Sequence, residues 1–290
     1  MMLVASHNLV TAGAHVTNYT THLHELIDWF PGQSFAGIPG KWEEALASYD
    51  LVIVQGDYAP EKRPLLSLSN GIVLYPYYIP SKAPPLREFD YIFDKSATIV
   101  SNIVDAIGAL MGAPPLTHSN GACPPAGLVH RKERKQVVIH PMSSDPNRIY
   151  SSGRFVKTAR LLKKQGYRPI FAVSRDEYGF WEDVLRGEFP LPSFPTLKEL
   201  AEIVYESGFF VGNESGTSHL ASCLDIPTLV IAGNTKRMEM WRPGWYPGKV
   251  TTPPKWVPNV KWARLRTHKW QYFISPNKVI RDFADLVETV

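Results

Sequence analysis

The feature that most constrains the fold is an alternation. Short apolar runs of strand length are followed by segments of helical period, and the series occurs twice along the 290 residues. This pattern implies an α/β chain with parallel sheets covered by helices, because parallel neighbours need a long crossover between them. In the first series strands are expected over 2–5, 34–38, 50–55, 71–75 and 91–93. The stretch 18–30 puts His22, Leu23, Leu26, Ile27 and Phe30 on one helical stripe, and 96–111 spaces Ile99, Ile103, Ile107 and Leu110 by three and four residues.

Between Gly112 and Lys135 the period stops, and Ala113-Pro114-Pro115 through Gly121-Ala122-Cys123-Pro124-Pro125 reads as a linker. Two domains are therefore expected, 1–125 and 126–290, each long enough to bury its own core. The second series predicts strands over 136–139, 169–173, 209–211 and 228–231, with helices over 153–164, 176–185, 197–207 and from Thr217 onward. From Trp241 to Phe273 the chain turns to Trp, Pro and Lys/Arg. That composition reads either as ordered irregular structure beside a site or as a surface wrap, with Trp241, Trp245, Trp256, Trp262 and Trp270 burying large areas either way. The helix at the end, 276–290, carries Val279, Ile280, Phe283 and Leu286 on one face and is a candidate to pack back on the first domain.

A net charge of +4, with no basic block longer than Arg131-Lys132-Glu133-Arg134-Lys135, excludes a nucleic-acid footprint. It suits an anionic small molecule or shallow contact with an anionic membrane surface. Met1 to Ser6 lacks the pattern of a secretory signal, and nothing approaches the apolar length of a membrane span. A cytoplasmic protein, at most peripheral at the inner face of the membrane, is the expectation. Cys123 and Cys223 fall on opposite sides of the boundary, and His7, His15, His22 and His24 have no ligand spacing, so no metal site is expected.

The strongest local signal is Phe209-Phe210-Val211-Gly212-Asn213-Glu214-Ser215-Gly216-Thr217-Ser218-His219-Leu220-Ala221. An apolar strand runs through a Gly-containing turn into a helix, whose unpaired amides and dipole favour phosphate oxygens. Ser215, Thr217 and Ser218 add hydroxyls, and Gly216 permits close backbone approach. The plainer reading is an ordinary capped helix. A second segment, Ile139-His140-Pro141-Met142-Ser143-Ser144-Asp145-Pro146-Asn147-Arg148, sets Ser143 and Ser144 at the C-terminal end of a strand. Arg148 there is either a fixed cation for a diphosphate or a solvated surface charge.

Together these segments resemble the lipopolysaccharide heptosyltransferases of glycosyltransferase family 9. Asn213 to Ala221 is similar to the family's Asp-Ser/Thr-Gly-x-x-His-Leu-Ala donor motif, with Glu214 in place of the usual Asp. His140-Pro141, with Arg148 two residues before Tyr150, stands where the family has Lys two residues before Trp. Ile231-Ala232-Gly233-Asn234-Thr235 followed by Trp241 occupies the place of its Gly-Pro-Thr turn and downstream Trp.

The resemblance implies a GT-B fold: two Rossmann-like domains facing a central cleft, nucleotide sugar in the C-terminal one and a glycan or glycolipid acceptor in the N-terminal one. It also implies inverting transfer of a heptose or related sugar from an ADP-heptose-like donor, without metal or other cofactor. The donor residues it marks are Ser143, Ser144, Arg148, Asn213, Glu214, Ser215, Gly216, Thr217, Ser218, His219 and Gly233. Where the family carries Gly-Asp after the first strand, this chain has Gly13-Ala14-His15. His15 and Asp57 are thus the candidate bases that deprotonate the acceptor hydroxyl. Two alternatives stay open: an inactive nucleotide- or glycan-binding relative, and another GT-B-like enzyme acting on the nucleotide sugar alone.

Overall fold

The computed structural model describes residues 1–112, 116–260 and 263–290, so Ala113-Pro114-Pro115 of the linker and Trp262 lie outside the described residues. The chain forms two compact units, Met1–Gly121 and Ala122–Val290.

The first unit opens with α1 (Leu3–Thr11), then β1 (Val16–Tyr19), β2 (Gln33–Ala36), α2 (Trp42–Leu46), β3 (Val52–Gln55), β4 (Gly71–Tyr75), β5 (Tyr91–Ile92) and α3 (Ile99–Met111). β1 and β2 pair in parallel, and β3, β4 and β5 form a second parallel sheet with β4 central and buried throughout. α3 behaves as its spacing predicts, with Thr98 as N-cap and Ile99, Ile103 and Ile107 buried.

Two expectations fail in this unit. Residues 2–5 are the first turn of α1 rather than a strand; Leu3, Val4, Ala5 and Ser6 are all buried there, and the buried Asn8 amide bonds the backbone of Thr117. A four-residue apolar run carries no period that separates helix from strand. The stretch 18–30 is not one helix either. It supplies the end of β1 and then a 3₁₀ stretch, Leu23–Trp29, kinked at Leu26, whose inward groups are Leu26 and Trp29.

The second unit continues with β6 (Glu133–His140), α4 (Ser152–Lys164), β7 (Arg168–Phe171), α5 (Arg175–Leu185), α6 (Leu197–Glu206), β8 (Ser207–Asn213), α7 (Gly216–Cys223), β9 (Thr228–Ile231), α8 (Thr235–Trp241) and β10 (Gly248–Thr251). The short antiparallel pair β11 (Asn259–Val260) and β12 (Ala263–Arg264), α9 (Leu265–His268) and α10 (Pro276–Val287) close the chain. The main sheet is parallel, in the order β10-β9-β8-β6-β7. All seven residues of β8 are buried, as a central parallel strand covered on both faces requires.

One core runs under this sheet, from Val137 and Ile139 through Phe155, Phe171 and Trp181 to Phe209, Val211, Val279 and Phe283. Burying each such side chain contributes about 1.5–3 kcal/mol. α10 starts at the cap Ser275 with Pro276 in its first turn, and it packs on α4 and β10 of the same unit. The 241–273 stretch is less irregular than its composition suggests, since β10 adds an edge strand to the sheet beside β9.

Candidate functional site

The strand order places a topological switch point in the second unit. The chain leaves β6 toward β7 on one side and returns to β8 on the other. Ligands of open parallel sheets settle at the C-terminal strand ends where the order reverses in this way. Both sequence motifs end there, because β6 finishes at His140 and β8 at Asn213, in register across the sheet.

Asn213 is fully buried and pins the two loops together. Its amide donates to the Pro141 carbonyl at 2.7 Å, and its Oδ1 accepts from the Tyr150 backbone at 3.0 Å. Asn213 therefore frames the site rather than facing a ligand. Ser143 Oγ likewise donates to the Glu214 carbonyl at 3.0 Å, whereas Ser144 is exposed. His140, at the end of β6, turns inward: its Nδ1 lies 2.8 Å from the Ala172 carbonyl, and burial pushes its pKa down.

Glu214 is the electrostatic centre. It is only 7% exposed, and its Oε1 accepts from Arg237 Nε at 2.7 Å and lies 3.3 Å from Arg148 Nη1. Arg148 ends a 3₁₀ turn, Pro146–Arg148, and its Nε sits 3.2 Å from Asp145 Oδ2. The Asp145 carboxyl is held below its ordinary pKa chiefly by hydrogen bonds from Asn147. Arg237 was not anticipated. The signal for it was local: Asn234 caps α8 by accepting the Arg237 amide at 3.1 Å, and the guanidinium lies over the Trp241 ring, 4.6 Å from its centre, at the i,i+4 spacing of one helix face.

At the start of α7, Ser215 and Ser218 cap each other, each side chain meeting the other's backbone amide at 3.3–3.4 Å. Among the described residues this leaves the amides of Gly216 and Thr217 unengaged, and a Cβ added at Gly216 would meet nothing within 4 Å. The helix start is thus partly closed by its own side chains but open at its first two donors. His219 Nδ1 is buried without a hydrogen-bond partner, and burial lowers the imidazole pKa to about 3.

Gly233 has a packing role of its own. A Cβ there would stand 2.5 Å from Trp270 Cγ, so packing already requires the glycine. Trp270 in turn donates its Nε1–H to the Asn147 carbonyl at 2.8 Å, buttressing the Arg148 turn from behind.

The candidate bases lie in the first unit. His15 is exposed in the turn between α1 and β1, so it stands at the N-terminal end of a strand, opposite to the edge that binds ligands. The expected strand-loop placement of Gly13-Ala14-His15 is thereby corrected: Gly13, with φ 93°, ends a helix. Asp57 follows β3 at its C-terminal end, the appropriate edge. Its carboxylate accepts from Lys62 Nζ at 2.7 Å and from the Ala59 amide at 3.1 Å, and these bonds lower its pKa. Among the described residues no three His, Cys, Asp or Glu gather to hold a metal ion, and no helix is long and apolar enough to cross a membrane.

Comparison with known proteins bears on the same segment. Residues 115–245 match the family described as Glycosyltransferase family 9 (heptosyltransferase). The resemblance read from the donor motif is thus upheld. A lipopolysaccharide heptosyltransferase 1 of Campylobacter coli is 31% identical over 114 residues, which is 36% of this chain and a third (33%) of that protein's length. Among solved structures, the E. coli ADP-heptose lipopolysaccharide heptosyltransferase II superposes with a TM-score of 0.70 at 14% identity, covering 99% of this chain and 95% of the other. The E. coli heptosyltransferase WaaC with ADP gives 0.68 at 14% identity, covering 98% and 95%. At such identities the likeness establishes the fold, and the fold is GT-B with Rossmann-like parallel sheets.

Proposed function

We propose that the chain transfers a heptose or related sugar from an ADP-heptose-like donor to a glycan or glycolipid acceptor of the cell envelope, with inversion and without a metal. The observation that carries this reading is the convergence of Arg148, Glu214 and the open amides of Gly216 and Thr217 at the switch point between β6 and β8. Glycosyl transfer builds negative charge on the departing diphosphate, and preorganised donors aimed at that charge lower the barrier. Supporting it are the family 9 match over the same residues and the ADP named with one structurally similar enzyme. The second unit is assigned the nucleotide sugar and the first the acceptor. Acceptors built at the inner face of the membrane would place the enzyme in the cytoplasm.

The test is thermal unfolding with ADP, UDP and GDP, followed by an assay of nucleoside diphosphate release. Binding of the native state by ligand at about 100 times its Kd adds about 2.7 kcal/mol of stability. If none of the three diphosphates raises the Tm, the donor site is refuted. Within this reading Asp57 is the base: Asp57→Asn lowers kcat by at least about a hundredfold with donor KM unchanged, while His15→Ala leaves both as they are. The reverse pattern would reject the assignment. The engagement of Asp57 by Lys62 also favours a second reading, a binding protein that keeps the nucleotide site without turnover. Retained ADP binding with no product on any acceptor would select it.

A further inference from the structure

We propose that Arg237 is a positioning residue for the diphosphate, holding the Glu214 carboxylate so that Arg148 is released to the ligand; the inference rests on the donor site proposed above. Two guanidinium groups share the Oε1 atom of Glu214, but unequally. Arg237 Nε lies at 2.7 Å and Arg148 Nη1 at 3.3 Å.

The Glu214 side chain is 9% exposed, and a carboxylate so buried is strongly disfavoured without a cation. Were Arg148 its only partner, moving Arg148 to a phosphate would strand that charge. With Arg237 in place, the shorter contact persists when Arg148 leaves. Arg237 is itself fixed: its backbone amide donates to Asn234 Oδ1, and its guanidinium carbon lies 4.6 Å from the centre of the Trp241 ring. The Arg148 amide is likewise bonded, to the Asp145 carbonyl at 2.9 Å, but among the described residues no ring stands over its guanidinium. Its side chain is 36% exposed, and its second carboxylate partner, Asp145, is 38% exposed and can be solvated when the contact breaks. The two arginines thus divide the work, one as permanent counter-ion and the other as the mobile group that meets the diphosphate.

The experiment measures the Kd of ADP by calorimetry at fixed salt for the wild type, Arg148→Gln, Arg237→Gln, Glu214→Gln, and the pairs Glu214→Gln/Arg237→Gln and Glu214→Gln/Arg148→Gln. ADP is the probe because it lacks the sugar, so Glu214 acts on it only through its charge. Arg237→Gln is expected to weaken ADP about tenfold by trapping Arg148 on Glu214, and Arg148→Gln is expected to weaken it by a similar factor. Removing the Glu214 charge should then restore binding to within about twofold in the Arg237→Gln background but not in the Arg148→Gln background.

That asymmetry is the signature. A direct phosphate contact by Arg237 predicts no restoration in its background, and a general charge effect predicts restoration in both; either result overturns the proposal. Unchanged binding in Arg237→Gln also overturns it, while leaving the donor site standing. Absence of ADP binding in the wild type removes both. If Arg237→Gln does not fold by circular dichroism, Arg237→Lys with and without Glu214→Gln carries the same comparison, since Lys loses the stacking and the fixed fork.

Discussion

Replacing Gly233 with Ala separates two reasons for a glycine that the sequence alone could not tell apart. The added Cβ would lie 2.5, 2.6 and 2.9 Å from Trp270 Cγ, Cδ1 and Cδ2. Carbon atoms in good contact keep roughly 3.5–4.0 Å, so the indole must retreat by about 1 Å. It has nowhere easy to go. Trp270 is 2% exposed, its ring stacks on Tyr150 with centres 6.2 Å apart, and its Nε1–H is committed to Asn147. Overpacking of this kind costs about 1–3 kcal/mol, and loss of the indole hydrogen bond adds about 1 kcal/mol. The expected destabilisation is thus roughly 2–4 kcal/mol, which for a unit of this size lowers the Tm by about 5–15 °C. Urea unfolding followed by tryptophan fluorescence gives the value directly. In a Trp270→Ala background the same substitution should cost less than about 1 kcal/mol, because the obstructing ring is gone. A Gly233→Ala protein with wild-type stability but lost ADP binding would refute the packing argument and return Gly233 to the ligand.

Other outcomes follow from the same contacts. His219 takes up a proton near pH 6.5 when unfolded but only at about 3 when folded, so its contribution to stability is intact at neutral pH and is lost as pH falls from about 6.5 towards 3. A His219→Gln protein should show a shallower pH dependence across that window, and identical slopes would discount the buried imidazole. Asp282, 7% exposed, accepts from Thr251 Oγ1 and from Lys278 Nζ, each at 2.8 Å, and so ties α10 to β10. Asp282→Ala should cost about 1–3 kcal/mol in denaturant unfolding, since it leaves the buried Thr251 hydroxyl without its acceptor and frees a partly exposed lysine. A loss under about 0.5 kcal/mol would mean that water replaces the carboxylate without penalty.

The second unit was largely legible because its strands are runs of Val, Ile and Phe bounded by polar turns, so β6, β8 and β9 announce themselves. The motif at 213–219 was legible for the same reason, being the polar ending of such a run. Its internal wiring was not. No rule of composition says that Asn213 turns inward to the Pro141 carbonyl, or that Glu214 recruits an arginine from α8, twenty-three residues on. Those facts depend on which loops the sheet order brings together. In the first unit, Leu3-Val4-Ala5 is buried on more than one side of a short helix, so it shows neither a period of two nor one of 3.6. The misplaced first strand carried His15 with it, because that residue precedes β1 instead of following a strand. β10 was missed because a four-residue edge strand flanked by Pro247 and Pro253 has little apolar signal.

The reciprocal cap of Ser215 and Ser218 has a consequence for what the site can distinguish. Among the described residues, the amides of Gly216 and Thr217 are the backbone donors that the cap leaves open at the helix start. A second anionic centre must look to the guanidinium on the neighbouring loop. On the proposed donor reading, a site built this way would gauge the separation between two charges along a chain of phosphates, and a ligand bearing only one of them would leave one of the two groups idle.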